Sequence, residues 1–221
     1  MIFIACLEPL KAFRHFDTKE VKILNRWTVA DLEKRGALVP VYEGERIRYL
    51  NTGGDGEYFD VPCGRCINCR LDYAKKWSQR CLLEAKCWSD NFFLTLTYDD
   101  EHLPPLNEFG LSSLESDHVK NFLKRLREHY ERCYNHVGIR FYLAGEYGDQ
   151  SMRPHYHLIA FNLPIFDLRY YSKSNLGDVY FNSDIISKVW GFGHVVIGEV
   201  TAQSAAYTAR YCQKKAKTPN L

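Results

Sequence analysis

The sequence predicts an α+β fold built on an antiparallel sheet, and two observations from residue 92 onward indicate it. Short segments alternate between apolar and polar residues, as strands with one buried face do, and longer segments repeat apolar residues at helical spacing. In chain order they read strand, helix, strand, strand, helix, strand, helix. The first six have the βαββαβ order of the ferredoxin-like, or RRM-like, fold, and the seventh adds a C-terminal helix.

Each of these elements follows from its residue types. The first strand is FFLTLTY (92–98), which is rich in β-branched and aromatic residues. The amphipathic helix SDHVKNFLKRLREHYERC (116–133) comes next. The strands IRFYLAGEYG (139–148) and HYHLIAF (155–161) are close enough in sequence to form a hairpin. The remaining elements are the helix SDIISKVW, the strand GHVVIGEV and the last helix AQSAAYTARYCQKKA, which begin at residues 183, 193 and 202.

Two segments precede this predicted domain, which covers residues 91–221. Residues 1–60 form an N-terminal extension of uncertain structure, in which GALVPVY and RIRYL favour short strands. Residues 61–90 hold the cysteine-containing stretch VPCGRCINCR and a helix over about 71–88. An antiparallel sheet with helices on one face leaves its other face free to carry a site.

Composition and charge restrict the function classes only in part. The 221 residues are 46% hydrophobic and 25% charged, as in ordinary globular proteins. No segment has the roughly 18 uncharged apolar residues that a membrane span needs, and the start lacks the basic region of a signal peptide. We therefore expect an intracellular protein. The net charge is only +2, but the basic stretches 69–80 and 210–217 suit either a phosphate backbone or a solvated face.

Two histidines one residue apart, His155 and His157, form the first candidate site. Residues i and i+2 of a strand point to the same side, so both imidazoles project together. If 139–147 and 154–161 form a hairpin, Glu146 lies beside His155. Two imidazoles and a carboxylate suit Mn²⁺ or Mg²⁺ with phosphate oxygens, or the iron of a non-haem oxygenase. The alternative is a pair of hydrogen-bonded strand histidines without a metal.

The last helix carries Tyr207, Tyr211 and Lys214 on one face, spaced by four and three residues. A tyrosine is a weak nucleophile at its usual pKa of about 10. A cation or metal makes it useful by stabilising its phenolate or the phosphate that it attacks, and Lys214 suits either role. The alternative is a core face with two tyrosines, which is disfavoured because the same stripe continues into lysine.

Together these motifs resemble those of HUH endonucleases, in the branch that initiates rolling-circle replication. RPHYHLIAF matches the His-hydrophobic-His motif, LAGEYG supplies the acidic ligand upstream, and YTARYCQKK matches the paired-tyrosine motif with its lysine. VPCGRCINCR followed by FFLTLTYDDEHLP is more closely similar to replication initiators of the microvirus (gokushovirus-type) single-stranded DNA phages. The resemblance runs in the same order from about residue 61 to residue 215.

This resemblance implies a metal-dependent, site-specific DNA endonuclease and strand transferase. The two histidines and Glu146 would hold Mg²⁺ or Mn²⁺, which polarises the scissile phosphate. Tyr207 or Tyr211, with Lys214 as the family lysine, would attack a phosphodiester at the origin. The products are a 5′-phosphotyrosyl adduct and a free 3′-OH that primes replication. The second tyrosine would then attack the regenerated origin and release a circle.

The implied partner is single-stranded origin DNA, held in a covalent 5′ adduct. Arg153, Arg210 and Lys215 are the residues that we expect to bind it. A host helicase and host replication proteins are further expected partners, and no membrane is expected to be one. The implied location is the cytoplasm of a bacterial host cell.

The cysteines Cys63, Cys66 and Cys69 form a C-x-x-C-x-x-C motif that is too local for separate disulfides. In a reducing compartment the motif indicates structural zinc, with a fourth ligand at Cys81 or Cys87 in the following helix. Reduced buried thiols and an iron–sulfur cluster are the alternatives, although the pattern after Cys69 differs from that of bacterial ferredoxins. The cysteines expected to be ordinary buried residues are Cys6, Cys133 and Cys212.

Two rival functions remain from the residues alone. A non-catalytic single-stranded nucleic-acid-binding module would use the sheet aromatics and the basic helices, but it needs no aligned tyrosines. A 2-His-1-carboxylate iron oxygenase is expected to have a longer, barrel-like series of strands and a ligand downstream of the histidines.

Overall fold

The computed structural model describes residues 6–24, 30–32, 34–35, 38–43, 46–51, 56–108, 110–148, 151–175 and 177–214. The chain divides into two compact units, Met1–Asp72 and Tyr73–Leu221. The sequence places boundaries at about residues 60 and 90, whereas the units divide inside the helix that follows the cysteines. Within the described residues, no helix is both long enough and apolar enough to cross a membrane.

The first unit contains a five-stranded antiparallel sheet in the order β2-β1-β5-β4-β3. Its strands are β1 (Leu10–His15), β2 (Val21–Ile23), β3 (Leu38–Glu43), β4 (Arg46–Asn51) and β5 (Gly56–Val61). The two short strands that the sequence favours are β3 and β4. Leu10 at the start of β1 pairs with Val61 at the end of β5. The residues just before β1 and just after β5 therefore lie at the same end of this sheet.

The helix α1 (Ile67–Ala85) begins in the first unit and continues into the second. The strands of the second unit are β6 (Asn91–Tyr98), β7 (Arg140–Tyr147), β8 (Pro154–Phe161), β9 (Arg169–Lys173), β10 (Val179–Asn182) and β11 (Gly193–Glu199). Its other helices are α2 (Ser116–Tyr134), α3 (Asp184–Trp190) and α4 (Ala202–Lys214). Every helix and strand predicted from residue 91 onward is present.

The second unit is built on a six-stranded antiparallel sheet in the order β7-β8-β6-β11-β10-β9. The four predicted strands occupy neighbouring places, and their pairing is that of a ferredoxin-like sheet. The α+β prediction is therefore confirmed. The hairpin of β9 and β10 is an addition to the predicted elements. Most side chains of β9 are exposed, so the strand lacks the regular alternation between buried and exposed residues that would have indicated it.

The two faces of the larger sheet pack against different helices. On one face Leu94, Leu96 and Leu158 form the main core with α2 and α3. On the other face Ile159 and Phe161 pack against α4 and the second-unit part of α1. The predicted free face is therefore partly covered. Because α4 covers it, the tyrosines of this helix are held over the strands that carry the histidines.

Leu126 allows a test of the main core. Its side chain is fully buried in α2, so Leu126→Ala should lower the free energy of unfolding by about 2–5 kcal/mol through lost burial and a residual cavity. Leu83 in α1 is 63% exposed and provides the matched control, since Leu83→Ala deletes the same atoms at a position that faces solvent. Urea unfolding followed by circular dichroism measures both. Equal losses in the two variants would contradict the assigned core.

Candidate active site

The β7–β8 hairpin brings the acidic residue and the two histidines together. Its register places Glu146 opposite His155 and Ala144 opposite His157. Both imidazoles lie on the sheet face covered by α4, while Tyr156 between them is buried in the main core and donates a hydrogen bond to the carbonyl oxygen of Glu115 at 2.6 Å. One ligand-capable atom from each of the three residues lies within 4.8 Å of the other two.

Glu146 and His157 are both nearly inaccessible to water, with exposed fractions of 6% and 7%. Glu146 Oε2 lies 3.3 Å from His157 Nε2 and 3.9 Å from His155 Nε2. One carboxylate oxygen therefore faces both Nε2 atoms. The opposite nitrogens have other partners: His157 Nδ1 lies 3.1 Å from Thr95 Oγ1, and His155 Nδ1 lies 3.1 Å from the carbonyl oxygen of Arg153. These contacts fix the orientation of both rings.

The buried atoms at this point fit a cation. Burial, with a smaller contribution from the charge of His155, lowers the pKa of His157 from its usual 6.5 to about 4. The ring is thus neutral near pH 7. Within the described residues, neither His157 Nε2 nor Glu146 Oε2 has a hydrogen-bond partner, although they face one another. Two unpartnered buried groups that can each donate an electron pair are the arrangement that a divalent metal satisfies.

The tyrosine Tyr207 reaches this group from α4. Its hydroxyl donates a hydrogen bond to Glu146 Oε1 at 3.1 Å, and its ring meets that of His157 edge to face at 5.1 Å. One oxygen of Glu146, Oε1, therefore contacts the tyrosine, and the other, Oε2, faces the two histidines. Tyr211 lies one helical turn further on, with its ring 4.6 Å from that of Tyr207. Tyr207 is thus in direct contact with two of the candidate metal ligands.

The environment of Tyr207 keeps its hydroxyl protonated. Burial, the hydrogen bond with Tyr211 and the charge of Glu146 together raise the pKa of Tyr207 above its usual value of about 10. The phenol therefore needs a proton acceptor or a nearby positive charge before it can act as a nucleophile. Glu146 Oε1 is an acceptor already in hydrogen-bond contact.

A cavity of about 640 Å³ opens beside these residues. This is within the usual size range of ligand pockets. Its lining combines aromatic, polar and charged side chains from β6, β8, β11, α4 and the β10 region, and it includes Phe93, Thr95, His157, Asp178, Tyr180, Glu199, Tyr207 and Arg210. The cavity therefore joins the histidine site to an aromatic and partly charged surface.

The basic residues predicted at the site have different positions. Arg210 is exposed and lines the cavity. The guanidinium of Arg153 instead donates to the carbonyl oxygen of Tyr98 at 3.0 and 3.1 Å and to Asp100 at 2.8 Å. Arg153 thus connects the hairpin turn to the end of β6 through these hydrogen bonds, and its charge is paired with Asp100. Lys214 is the last residue of α4, and Lys215 lies outside the described residues, so their roles stay predictions.

The cysteine group differs from the predicted one at one position. Cys63, Cys66 and Cys69 lie together, but the fourth member among the described residues is Cys6. Cys81 is instead buried against Ile159 and Ala205 in the second unit. It was named as a fourth ligand only because it lies in the helix that follows the motif, and its side chain is part of the apolar core instead. Cys6 is close because β1 and β5 are paired.

Two other residues of the site are absent from the sequence prediction. Thr95 contacts His157 Nδ1, and the Phe93 ring stacks on the His157 ring at 5.3 Å. Both project from β6, where Thr95 pairs with His157 across the strands. The alternation in FFLTLTY indicates that they share a face, but only the pairing of β6 with β8 shows which histidine they meet.

Comparisons with known proteins identify the family of the chain. Residues 91–216, more than half of the chain, match the model of the ORF2 family of replication-associated proteins. The chain belongs to this family. The predicted resemblance to proteins that act in replication initiation is thereby confirmed at the level of a replication-associated protein family. No solved structure gives a significant match.

Three replication-associated proteins of bacterial viruses are similar to the chain. It is 40% identical over 185 residues to the replication-associated protein ORF2 of Spiroplasma virus 4, covering 78% of the chain and 57% of that protein. It is 39% identical over 160 residues to the replication-associated protein VP4 of Bdellovibrio phage phiMH2K, covering 71% and 49%. It is 35% identical over 182 residues to the replication-associated protein ORF4 of Chlamydia phage 1, covering 77% and 44%. The chain thus spans about half the length of these relatives.

Thr95 provides a test of how the candidate ligands are oriented. Thr95→Val removes the hydroxyl at His157 Nδ1 without changing the side-chain shape, so the affinity for Mn²⁺ should fall about 10- to 100-fold. Isothermal titration calorimetry measures the affinity. Thr97→Val is the matched control on the same strand, because it lies opposite His155, whose Nδ1 contacts a backbone carbonyl instead. An unchanged affinity in Thr95→Val would contradict the assigned orientation.

Proposed function

We propose that this chain is a metal-dependent endonuclease that nicks single-stranded DNA to initiate rolling-circle replication. The observation that carries the proposal is the hydrogen bond from the Tyr207 hydroxyl to Glu146, whose other oxygen faces two histidines. Membership of a replication-associated family supports a DNA substrate over the substrates of an iron oxygenase. Because the chain spans about half of its relatives, the proposal concerns the nicking step and not everything that a longer protein does.

His155, His157 and Glu146 are the residues that would hold the metal, as Mg²⁺ or Mn²⁺. When bound there, the ion supplies Lewis-acid polarisation of a phosphate oxygen. The two imidazoles favour Mn²⁺ over Mg²⁺, since magnesium prefers oxygen ligands. The unpartnered Nε2 of His157 and Oε2 of Glu146 support this assignment.

Tyr207 is the proposed nucleophile of the first cleavage. Its phenolic oxygen forms a bond to phosphorus while the bond from phosphorus to the 3′-oxygen breaks. The phenolic proton passes to Glu146 Oε1, and the departing 3′-oxygen takes up a proton from water. The products are a 5′-phosphotyrosyl link and a free 3′-OH that can prime synthesis.

Tyr211 is the proposed nucleophile of the second step, in which a regenerated origin is cleaved and the first strand is released. The close approach of the two rings supports alternate use of one phosphate position. Lys214 follows on the same face of the helix by its spacing. We propose an electrostatic role for it, on the phosphate or the phenolate.

The cavity beside His157 is the proposed binding place for the bases and phosphates next to the nick. Phe93 and Tyr180 offer aromatic surfaces for stacking, and Arg210 offers a charge for a phosphate. Lys215 is a further proposed phosphate contact, by its place in the basic C-terminal stretch. A host helicase and host replication proteins, in the cytoplasm of a bacterial cell, are the partners that this role would require.

A protein–DNA adduct is the expected signature of this chemistry. Incubation with a randomised single-stranded DNA library, labelled at the 3′ end, and Mn²⁺ should give a labelled protein band on a denaturing gel. Tyr207→Phe should reduce the adduct below detection because it removes the first nucleophile. Tyr211→Phe should keep the adduct but lose rejoining to an added acceptor strand. Sequencing the attached DNA would give the nick site.

The same experiment separates the proposal from a protein that only binds single strands. His157→Ala should lose the adduct while retaining most DNA binding, as measured by fluorescence anisotropy. An adduct that persists in the Tyr207→Phe, Tyr211→Phe double variant would refute the tyrosine mechanism. Binding without an adduct in any divalent metal would leave a non-catalytic binding protein as the function.

Arg210 provides a test of the DNA path. Arg210→Ala should weaken binding to single-stranded DNA and reduce the slope of log K against log salt concentration by about 0.7, the value for one lost phosphate contact. Anisotropy titrations at several salt concentrations measure the slope. Lys124→Ala is the control, because Lys124 is an exposed cation of α2 on the opposite side of the sheet. Equal changes in the two variants would argue against a localised DNA path.

A further inference from the structure

The four cysteines of the first unit surround a single point. Sγ of Cys6 lies 3.8 Å from Sγ of Cys66, and Sγ of Cys63 lies 4.0 Å from Sγ of Cys69. All four sulfurs lie within 4.8 Å of one another. All four cysteines are free rather than joined in disulfides. The arrangement is therefore a compact four-sulfur group and not two crosslinks.

These separations match the size of a tetrahedral metal–thiolate site. With Zn–S bonds of about 2.3 Å, the edges of a regular tetrahedron of sulfurs are about 3.8 Å long. The distance between Sγ of Cys6 and Sγ of Cys66, 3.8 Å, and that between Sγ of Cys63 and Sγ of Cys69, 4.0 Å, are close to that length. Disulfide formation does not account for a group of four sulfurs, since a disulfide joins only two sulfurs at about 2.05 Å.

The fold builds this group from two distant parts of the chain. The pairing of Leu10 with Val61 brings the segment before β1 beside the segment after β5. Cys6 is supplied by the first segment, and Cys63 by the second. Gly64 has a φ of 71°, which lets the chain turn back so that Cys66 joins them. The start of α1 then supplies Cys69.

Backbone amides point at these sulfurs. The N–H groups of Arg65 and Cys66 donate to Sγ of Cys63 at 3.4 and 3.3 Å, and the N–H of Cys63 donates to Sγ of Cys6 at 3.3 Å. The N–H of Cys69 donates to Sγ of Cys66 at 3.5 Å. Such donors stabilise negative charge on sulfur, which metal-bound thiolates carry.

We propose that Cys6, Cys63, Cys66 and Cys69 bind one structural Zn²⁺. Four thiolates with no open position are the ligand set of closed zinc sites. Iron–sulfur clusters distribute their ligands around several irons, whereas these sulfurs enclose the space of one ion. The site uses none of the histidine-site residues and does not depend on the proposed nicking activity.

The zinc would stabilise the first unit by closing a long loop. It would join residue 6 to residues 63–69, and so link the segment before β1 to the segment after β5 at the end of the sheet where both lie. Since ligand binding of this kind contributes directly to folding, removal of the metal should destabilise this unit more than the second. Among the residues whose burial is described, the main apolar core lies in the second unit.

Metal content and cobalt substitution test the proposal on the full chain. Protein produced with zinc should retain one Zn²⁺ per chain after dialysis, measured by mass spectrometry of the metal. Replacement by Co²⁺ should give thiolate-to-cobalt charge-transfer absorption and strong tetrahedral bands. Cys6→Ser should lose both signals, whereas Cys87→Ser, a change at an exposed cysteine outside the group, should keep them. His157→Ala should also keep them, which separates this site from the histidine site.

X-ray absorption at the zinc edge keeps the test decisive if Cys6→Ser fails to fold. The unaltered protein should show four sulfur neighbours at about 2.3 Å. Nitrogen or oxygen neighbours, or retention of the zinc and the thiolate–cobalt absorption by Cys6→Ser, would overturn the proposed ligand set. Iron in place of zinc in the isolated protein would overturn the choice of metal.

Discussion

The buried carboxylate of Glu146 is the constraint on which the site depends. Its charge lies inside the protein, where an unpaired anion is costly. Oε1 is satisfied by Tyr207, and Oε2 lies nearest to the Nε2 of His157, a neutral ring that cannot neutralise it. A cation held between the carboxylate and the two imidazoles would balance this charge. The sheet and α4 therefore hold together a set of groups whose electrostatics a metal would complete.

One face of the larger sheet packs in the main core, and the other face carries the candidate site. Alternation along β8 sends Tyr156 and Leu158 into the main core and His155 and His157 to the opposite side. The main core can thus fix the strand positions without using any residue of the candidate site. The opposite face is completed by α4, whose small residue Ala205 packs closely while Tyr207 extends over the histidines. The residues that pack the main core and the residues of the candidate site are therefore different residues of the same strand.

Local sequence patterns were sufficient to predict much of the fold and of the candidate site. Alternation in HYHLIAF and the short turn before it were sufficient to predict which residues share a face and that Glu146 lies beside His155. Helical spacing placed Tyr207 and Tyr211 together. Features that depend on pairing between distant strands were not predictable in this way. Thr95 meets His157 across β6 and β8, and Cys6 meets Cys63 across β1 and β5. Cys81 follows the cysteine motif in sequence, but its side chain packs against Ile159 and Ala205, and the sequence alone does not show this packing.

Arg153 shows a further consequence of the fold. By bonding to the carbonyl oxygen of Tyr98 and to Asp100, it fastens the hairpin turn to the neighbouring strand just beside His155. The contacts that set the spacing of the candidate ligands are therefore made by the protein itself, before any ion or nucleic acid arrives. A preorganised site loses little conformational entropy on binding. For the proposed single-stranded DNA substrate, most of the conformational entropy lost on binding would then be that of the strand and not of this corner.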